Sequence, residues 1–184
     1  MNVRGNILKA RVAFVRERFG EAAWQKVLAS LPEQDHKVLG GILTHAAWYP
    51  FEISVRLDDA IVRVVGGGQT KIFEELGRTS AKENLTTVHA RFLDPPDPQE
   101  FLKKTPMIYK FYYDLGSRSY EQTGPRSGVL TTSDAETFSV PDCATVVGWH
   151  KQALEMCGAR SVVIRETECR ARGGLRCRYE VSWS

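Results

Sequence analysis

The stretch RETECRARGGLRCRYEVSW, residues 165–183, decides how the chain ends its fold. In its second half, apolar side chains alternate with polar ones, which is the pattern of a half-buried antiparallel strand. The apolar positions are Leu175, Cys177, Tyr179, Val181 and Trp183. The Gly173-Gly174 pair in front of them predicts a hairpin turn, which returns this strand beside the one that carries Cys169.

The chain upstream of this hairpin is predicted to be mostly helical. Helical spacing of apolar residues covers 7–19, 22–31, 51–65, 69–92 and 99–113. Gly20 ends the first helix, and the glycines at 66–68 form a hinge. Two short strands then flank Thr123-Gly124-Pro125. We therefore expect an α+β fold, in which an N-terminal helical layer packs on a small antiparallel sheet formed mainly by the C-terminal half. Residues 1–184 are expected to form one domain.

A helix from about 143 to 157 is predicted immediately before the hairpin, with Asp142 as its N-cap and Gly158 closing it. The helix from Cys157 back to Cys143 spans about 21 Å at ~1.5 Å per residue. The strand from 161 to Cys169 spans about 26 Å at ~3.3 Å per residue and runs back along that helix. Glu166 and Cys169 therefore return to the level of Cys143, and the hairpin adds Cys177.

Three thiols and one carboxylate, from Cys143, Glu166, Cys169 and Cys177, are thus predicted to converge. Zinc prefers four tetrahedral ligands of these types, and a shell rich in thiolates suits a structural site. Positions 166 and 169 face opposite sides of a regular strand, so a bulge near Thr167-Glu168 is needed. If the bulge falls elsewhere, Glu168 replaces Glu166.

Two other interpretations of the cysteines stay open. They can be small core side chains, because buried thiols pack as apolar groups. A redox pair is the third interpretation, and it has less support because neither hairpin cysteine lies at a helix N-terminus that would lower the pKa of its thiol. Cys157 is assigned to the core.

Composition excludes several classes of protein. The net charge of +3 arises from mixed basic and acidic residues, without the basic stripe that marks a nucleic-acid binder. The arginines of the hairpin are interpreted as a solvated face. No apolar run reaches the ~18 residues of a membrane span, and no signal peptide opens the chain, so a cytoplasmic protein is expected.

Candidate ligand contacts are His150, Trp149 and His89. His150 lies on an apolar helix face, where a core histidine bonded to a backbone carbonyl is the favoured interpretation over a ligand contact. Asp58 and Asp59 are interpreted as surface acids. No catalytic serine–histidine–aspartate order or nucleophile elbow is present, so no catalytic residue is assigned.

The cysteine pattern resembles a known family. Glu166-x2-Cys169-x7-Cys177, preceded by Cys143 and by Val147-Gly148, is similar to the sensory input domain of phenol-responsive transcription activators and to the related 4-vinyl reductase domain. The resemblance covers about the last 45 residues. It implies that the four matching positions hold a structural zinc. The phenol-contacting residues of those activators are not carried over.

Most of the chain also resembles a family of uncharacterised bacterial paralogues of similar length. The likeness lies in RGNILKARVAFVRERFGEAAWQKVLASLP near the N-terminus, in WYPFE at 48–52 and in the final CRYEVSW. The wider superfamily implied includes haem nitric-oxide-binding domains and trafficking-complex subunits of the TRAPP type. It implies a helical layer on an antiparallel sheet, often dimeric, with a buried pocket for a small ligand or acyl chain.

The function predicted from these features is a non-enzymatic sensory or regulatory domain with structural zinc and a small hydrophobic ligand. It lacks a Walker motif and a helix-turn-helix, so it is expected to signal through protein partners, as a homodimer. One alternative is a reductase-like protein that binds a haem or another tetrapyrrole, which is disfavoured because no reductant-binding fingerprint is present. The other is an interaction scaffold without a ligand.

Overall fold

Helices dominate the first 109 residues of the structure, a computed structural model that describes residues 1–136 and 139–184. The helices are α1 (Gly5–Phe19), α2 (Glu21–Ala29), α3 (Glu33–Leu39), α4 (Phe51–Val64), α5 (Ile72–Thr86) and α6 (Pro98–Tyr109). Two three-residue strands, β1 (Asn2–Arg4) and β2 (Trp48–Pro50), pair antiparallel and fix the start of the chain beside the start of α4. Gly20 ends α1 as predicted, with a positive φ of 85° that favours glycine.

The C-terminal half holds the main sheet. Its strands are β3 (Ser117–Gly124), β4 (Ser127–Ser133), β5 (Val163–Glu168) and β6 (Cys177–Ser182). They are all antiparallel, in the order β3-β4-β6-β5. The helix α7 (Val140–Met156) connects β4 to β5. The predicted α+β class, with helices first and a small antiparallel sheet last, is confirmed.

Helices α5 and α7 pack with their backbones in direct contact where the two halves meet. Gly77 of α5 lies against the carbonyl oxygen of Thr145, and Gly148 of α7 lies against the carbonyl oxygen of Glu74; a Cβ at either glycine would clash. Small residues let two helix backbones approach in this way. This contact therefore fastens α7, and the sheet behind it, directly onto the helical half.

Two local predictions were wrong. The N-cap of α7 is Ser139, whose Oγ accepts the backbone N–H of Asp142 at 3.2 Å, because the helix begins one turn earlier than predicted. Leu175 does not join the buried face of β6, which starts at Cys177; it lies in the hairpin loop and is 88% exposed. The loop is held there by Glu168, whose carboxylate accepts the backbone N–H of Leu175.

None of the helices in the described part of the chain is both long enough and apolar enough to cross a bilayer.

Candidate metal centre and buried cavity

The four predicted ligands lie together at the N-terminal end of α7. One donor atom from each of Cys143, Glu166, Cys169 and Cys177 lies within 4.8 Å of the others. The sulfur of Cys143 is 3.7 Å from that of Cys169 and 3.8 Å from that of Cys177. No other group of this kind occurs in the described part of the chain.

A bulge brings the carboxylate into this cluster. The pairing of β5 with β6 shifts register between Glu166 and Glu168, where the sequence analysis requires a bulge. Glu168 lies outside the cluster, because its carboxylate accepts hydrogen bonds from the backbone N–H groups of Leu175 and Arg176 and from the Arg176 guanidinium. The Arg176 guanidinium, followed by these backbone donors, lowers the pKa of Glu168. The geometry thus favours Glu166 over Glu168.

Two of the four side chains in the cluster, Glu166 and Cys177, offer a donor atom that is suited to a cation. The Oε2 of Glu166 accepts from Arg172, whereas its Oε1 is buried and has no hydrogen-bond partner among the described residues. The sulfur of Cys177 lies 3.8 Å from that of Cys143, and this hydrogen-bonded neighbour lowers the pKa of Cys177. The backbone N–H of Arg170 donates to the same sulfur at 3.4 Å. The thiolate is the form of cysteine that binds metals.

The spacing of the sulfurs matches a tetrahedral zinc. A zinc–sulfur distance of ~2.3 Å places two sulfurs of a tetrahedron about 3.8 Å apart. The two measured separations, 3.7 and 3.8 Å, agree with that value. The unpartnered oxygen of Glu166 is available as a fourth donor, so these residues fit the metal. Cys157 is buried in the apolar core at the other end of α7, as predicted.

A small cavity lies where the helical half meets α7 and the sheet. Its volume is about 60 Å³. Apolar walls come from Ile7 of α1, Leu76 of α5 and Trp149 of α7. Arg118 of β3 and His150 of α7 provide polar groups. Ligand sites commonly occupy such seams between structural units.

A buried ionic network forms one side of the cavity. Arg11 of α1 donates to both carboxylate oxygens of Asp58, at 2.5 and 2.9 Å, and to Asp142 at 3.0 Å. The hydroxyl of Tyr113 donates to Asp142 at 3.0 Å. Burial raises the pKa of Asp58 to about 6. Since Asp142 directly precedes Cys143, the network connects α1 and α4 to the residue next to the candidate metal centre.

The sequence did not predict this network. Asp58 was interpreted as a surface acid, and this was wrong, because its side chain is fully buried against Arg11. One signal was available. Arg11 falls between Leu8, Val12 and Val15 on the apolar face of α1, where an unpaired charge is too costly to bury.

The predicted ligand contacts fall in two places. Trp149 and His150 line the cavity, whereas His89 lies outside it against the rings of Phe92, Phe111 and Tyr112. The Nδ1 of His150 lies 2.8 Å from the carbonyl oxygen of Val146, which can only accept, so this nitrogen carries the proton. Burial lowers the pKa of His150 to about 3, which keeps the imidazole neutral.

Comparison with known proteins places this arrangement in a family. Residues 15–184 match the family model described as a protein of unknown function (DUF2378). The chain belongs to this family. No curated protein matches its sequence.

Solved structures share the fold of this DUF2378 chain. An Fe(II) unliganded H-NOX protein from K. algicida superposes with a TM-score of 0.75 at 12% identity, over 98% of this chain and 96% of that one. An H-NOX protein from S. oneidensis in the Fe(II)NO state gives a TM-score of 0.75 at 14% identity, over 98% and 99% of the two chains. A further structure, from a study of haem distortion in the H-NOX family, gives 0.75 at 12% identity, over 98% and 95%.

At these identities the likeness establishes the fold. The expected likeness to haem nitric-oxide-binding domains is therefore confirmed for the fold alone. The narrower resemblance to phenol sensors and 4-vinyl reductases continues to rest on the cysteine and glutamate spacing alone.

Proposed function

We propose that this DUF2378 protein is a sensory domain that binds a small molecule in the cavity between its two halves and signals through a protein partner. The observation that carries the proposal is the position of the cavity. Its walls come from α1, α5, β3 and α7, so an occupant contacts both the helical half and the C-terminal half. A ligand that prefers one packing of these halves shifts the population toward it.

We further propose a structural zinc at Cys143, Glu166, Cys169 and Cys177. Zinc at this position cross-links the first turn of α7 to the terminal hairpin. Because the ligands come from separate elements, metal binding contributes directly to folding. The matched spacing of the sulfurs and the unpartnered Glu166 oxygen support this proposal.

The two sites are adjacent through consecutive residues. Cys143 faces the sulfur cluster, while Asp142 accepts from Arg11 at the cavity. We propose that the zinc holds the start of α7 in place, so that ligand-dependent changes are confined to the helical half. We also propose that the protein forms a homodimer and binds a protein partner. Sedimentation analysis tests whether it is a homodimer.

A tetrapyrrole is the second candidate ligand, because haem is named for the family of solved structures that share the fold. That similarity supports the tetrapyrrole alternative more directly than it supports a zinc-braced hydrophobic sensor. The residues of this cavity do not fit the group, however. The volume of about 60 Å³ lies far below the roughly 300–1,000 Å³ of sites for drug-sized ligands. His150, the histidine among the described lining residues, donates from Nδ1 to Val146 and turns Nε2 toward Arg118.

Two experiments test the proposed function. Titration of purified protein with haem, followed by absorbance, is expected to give no stoichiometric Soret band; such a band would establish the tetrapyrrole candidate instead. A panel of small neutral and charged molecules is expected to include at least one that shifts the indole resonance of Trp149 in a saturable manner. The variant Ala10→Leu, which fills the cavity, should abolish that shift, whereas Ala22→Leu on the exposed face of α2 should not.

A further inference from the structure

We propose that the cavity binds a planar oxyanion of three or four non-hydrogen atoms, of the class of formate, acetate, bicarbonate and nitrate, and that Arg118 holds its charge. This inference rests on the proposed function, because it names the ligand class of the same cavity.

Arg118 is a cation without a carboxylate partner in the described structure. Its Nε and Nη2 both lie 3.1 Å from the hydroxyl of Thr132, and its Nη1 is 3.5 Å from Nε2 of the neutral His150. The ring of Tyr109 lies 5.1 Å from its guanidinium carbon. A guanidinium carries five N–H donors, so these contacts leave donors free to face the cavity. Their planar fork matches the two oxygens of a carboxylate-type anion.

The other arginine of the cavity is already neutralised. Arg11 donates to Asp58 and to Asp142, and it forms ion pairs with both. The carboxylate of Asp142 is the negative charge in the cavity lining that would repel an anion. Both of its oxygens accept hydrogen bonds, from Arg11 and from the hydroxyl of Tyr113. Arg118 therefore remains as the cation that can pair with a ligand.

Two further polar groups of the lining have no hydrogen-bond partner in the described structure. They are the hydroxyl of Tyr112 and the Oδ1 of Asn6, both shielded from solvent. Buried polar atoms are normally hydrogen-bonded, so their common position at one cavity points to a polar occupant. The hydroxyl of Tyr112 can donate to an oxyanion. The Asn6 oxygen needs a donor, which bicarbonate carries and which formate, acetate and nitrate lack.

The size of the cavity limits the occupant. A cavity of about 150 Å³ holds benzene, with its six carbon atoms. The cavity here, of about 60 Å³, is less than half that size and therefore suits an occupant of only a few non-hydrogen atoms, such as a small planar oxyanion. Aromatic ligands exceed this volume.

The test is a titration of the full-length protein, prepared with its metal, with the sodium salts of formate, acetate, bicarbonate and nitrate. Sodium chloride at matched ionic strength and acetamide, a neutral analogue of acetate, are the reference probes. The readouts are the NMR resonances of the Trp149 indole and of the Arg118 Nε–H. We expect a saturable shift with at least one oxyanion and none with chloride or acetamide. If bicarbonate binds more tightly than acetate, its O–H group is assigned as the donor to the Asn6 oxygen.

Variants separate a specific site from a general effect of charge. Arg118→Gln is expected to weaken oxyanion binding at least tenfold, and Arg118→Lys to weaken it less. Arg165→Gln, which removes an exposed arginine of β5, should leave the affinity unchanged. Thermal unfolding of each variant establishes that it is folded.

The outcomes distinguish this inference from the proposed function. Identical responses to acetate and chloride, or equal affinity in wild type and Arg118→Gln, overturn the oxyanion. Saturable binding of acetamide without any oxyanion overturns the ligand class but retains a small-molecule sensor. If no probe gives a saturable shift, and Ala10→Leu leaves the response to every probe unchanged, the cavity is not a ligand site. Both proposals then fail.

Discussion

Arg11 in the first long helix donates to Asp142, at 3.0 Å, across 131 positions of the sequence. The bond joins the helical half to the first turn of α7, one residue before the candidate metal ligand Cys143. The ion pair between Arg11 and Asp142 therefore joins the cavity wall to the end of α7 that carries the candidate metal centre.

Replacing Arg11 by methionine should destabilise the protein more than any other change in this network. The variant leaves the carboxylates of Asp58 and Asp142 buried without their cation, and breaking a buried ion pair in this way costs about 3–5 kcal/mol. Asp58→Asn should cost clearly less, because Arg11 keeps its bond to Asp142. Urea unfolding measures both values. The matched control is Arg18→Met, which removes an exposed ion pair with Glu75 worth about 0–1 kcal/mol. If Arg11→Met lowers the free energy of unfolding no more than this control does, the buried network does not stabilise the fold.

The stability of the protein should fall in acid because of His150. Burial lowers the pKa of His150 to about 3 in the folded state, against 6.5 for an unperturbed histidine. A group with a depressed pKa contributes stability that is present above the unfolded pKa of 6.5 and is lost as the pH falls toward 3. The full difference corresponds to roughly 5 kcal/mol at 1.36 kcal/mol per pKa unit. His150→Gln should flatten this loss between pH 6.5 and 4, whereas His36→Gln, at an exposed position, should not. Parallel pH profiles for His150→Gln and wild type would refute the assignment.

Asp58 should act in the opposite direction over part of the same range. Its folded pKa of about 6 lies above the 3.8 of an unperturbed aspartate, so the stability it contributes is greatest below 3.8 and is lost as the pH rises through 6. In the His150→Gln background, the free energy of unfolding should therefore increase as the pH is lowered from 7 to 4.5. Addition of Asp58→Asn should remove that increase. An increase of the same size in the double variant would assign it to another group.

Gly148→Ala should destabilise the protein although alanine is the better helix former. Helix propensity alone predicts a gain of about 1 kcal/mol. The added methyl group instead meets the carbonyl oxygen of Glu74 and forces α5 and α7 apart, and such overpacking costs about 1–3 kcal/mol. The sign of the change in a thermal or urea unfolding experiment is the test. A stabilised Gly148→Ala protein would show that the two helices are not in backbone contact.

Alternation and helical spacing were sufficient to predict the elements that carry the candidate metal centre. The antiparallel return of the hairpin along α7 followed from the rise per residue of a helix and a strand, and the bulge at Glu166–Glu168 followed from the need to aim Glu166 and Cys169 at one point. Both predictions depend on residues that lie in one continuous C-terminal stretch of the sequence.

The cavity and its ionic network could not be predicted in the same way. Arg11, Asp58 and Asp142 come from three helices, and nothing local to any of them shows that they meet. Asp142 likewise lies inside the first turn of α7, which Ser139 caps, and its carboxylate pairs with Arg11 in the interior. This pairing joins residues far apart in the sequence, so local helix-start preferences could not predict it.

Native mass spectrometry combined with elemental analysis, on protein purified without chelator, tests the central claim most directly. We expect one zinc per chain in the wild type and in Cys157→Ser, loss of the metal in Cys177→Ser, and no haem bound to any of them. Less than a tenth of a zinc per wild-type chain, or equal zinc in Cys177→Ser and Cys157→Ser, would contradict the claim that Cys143, Glu166, Cys169 and Cys177 hold one metal ion that braces the sensory fold.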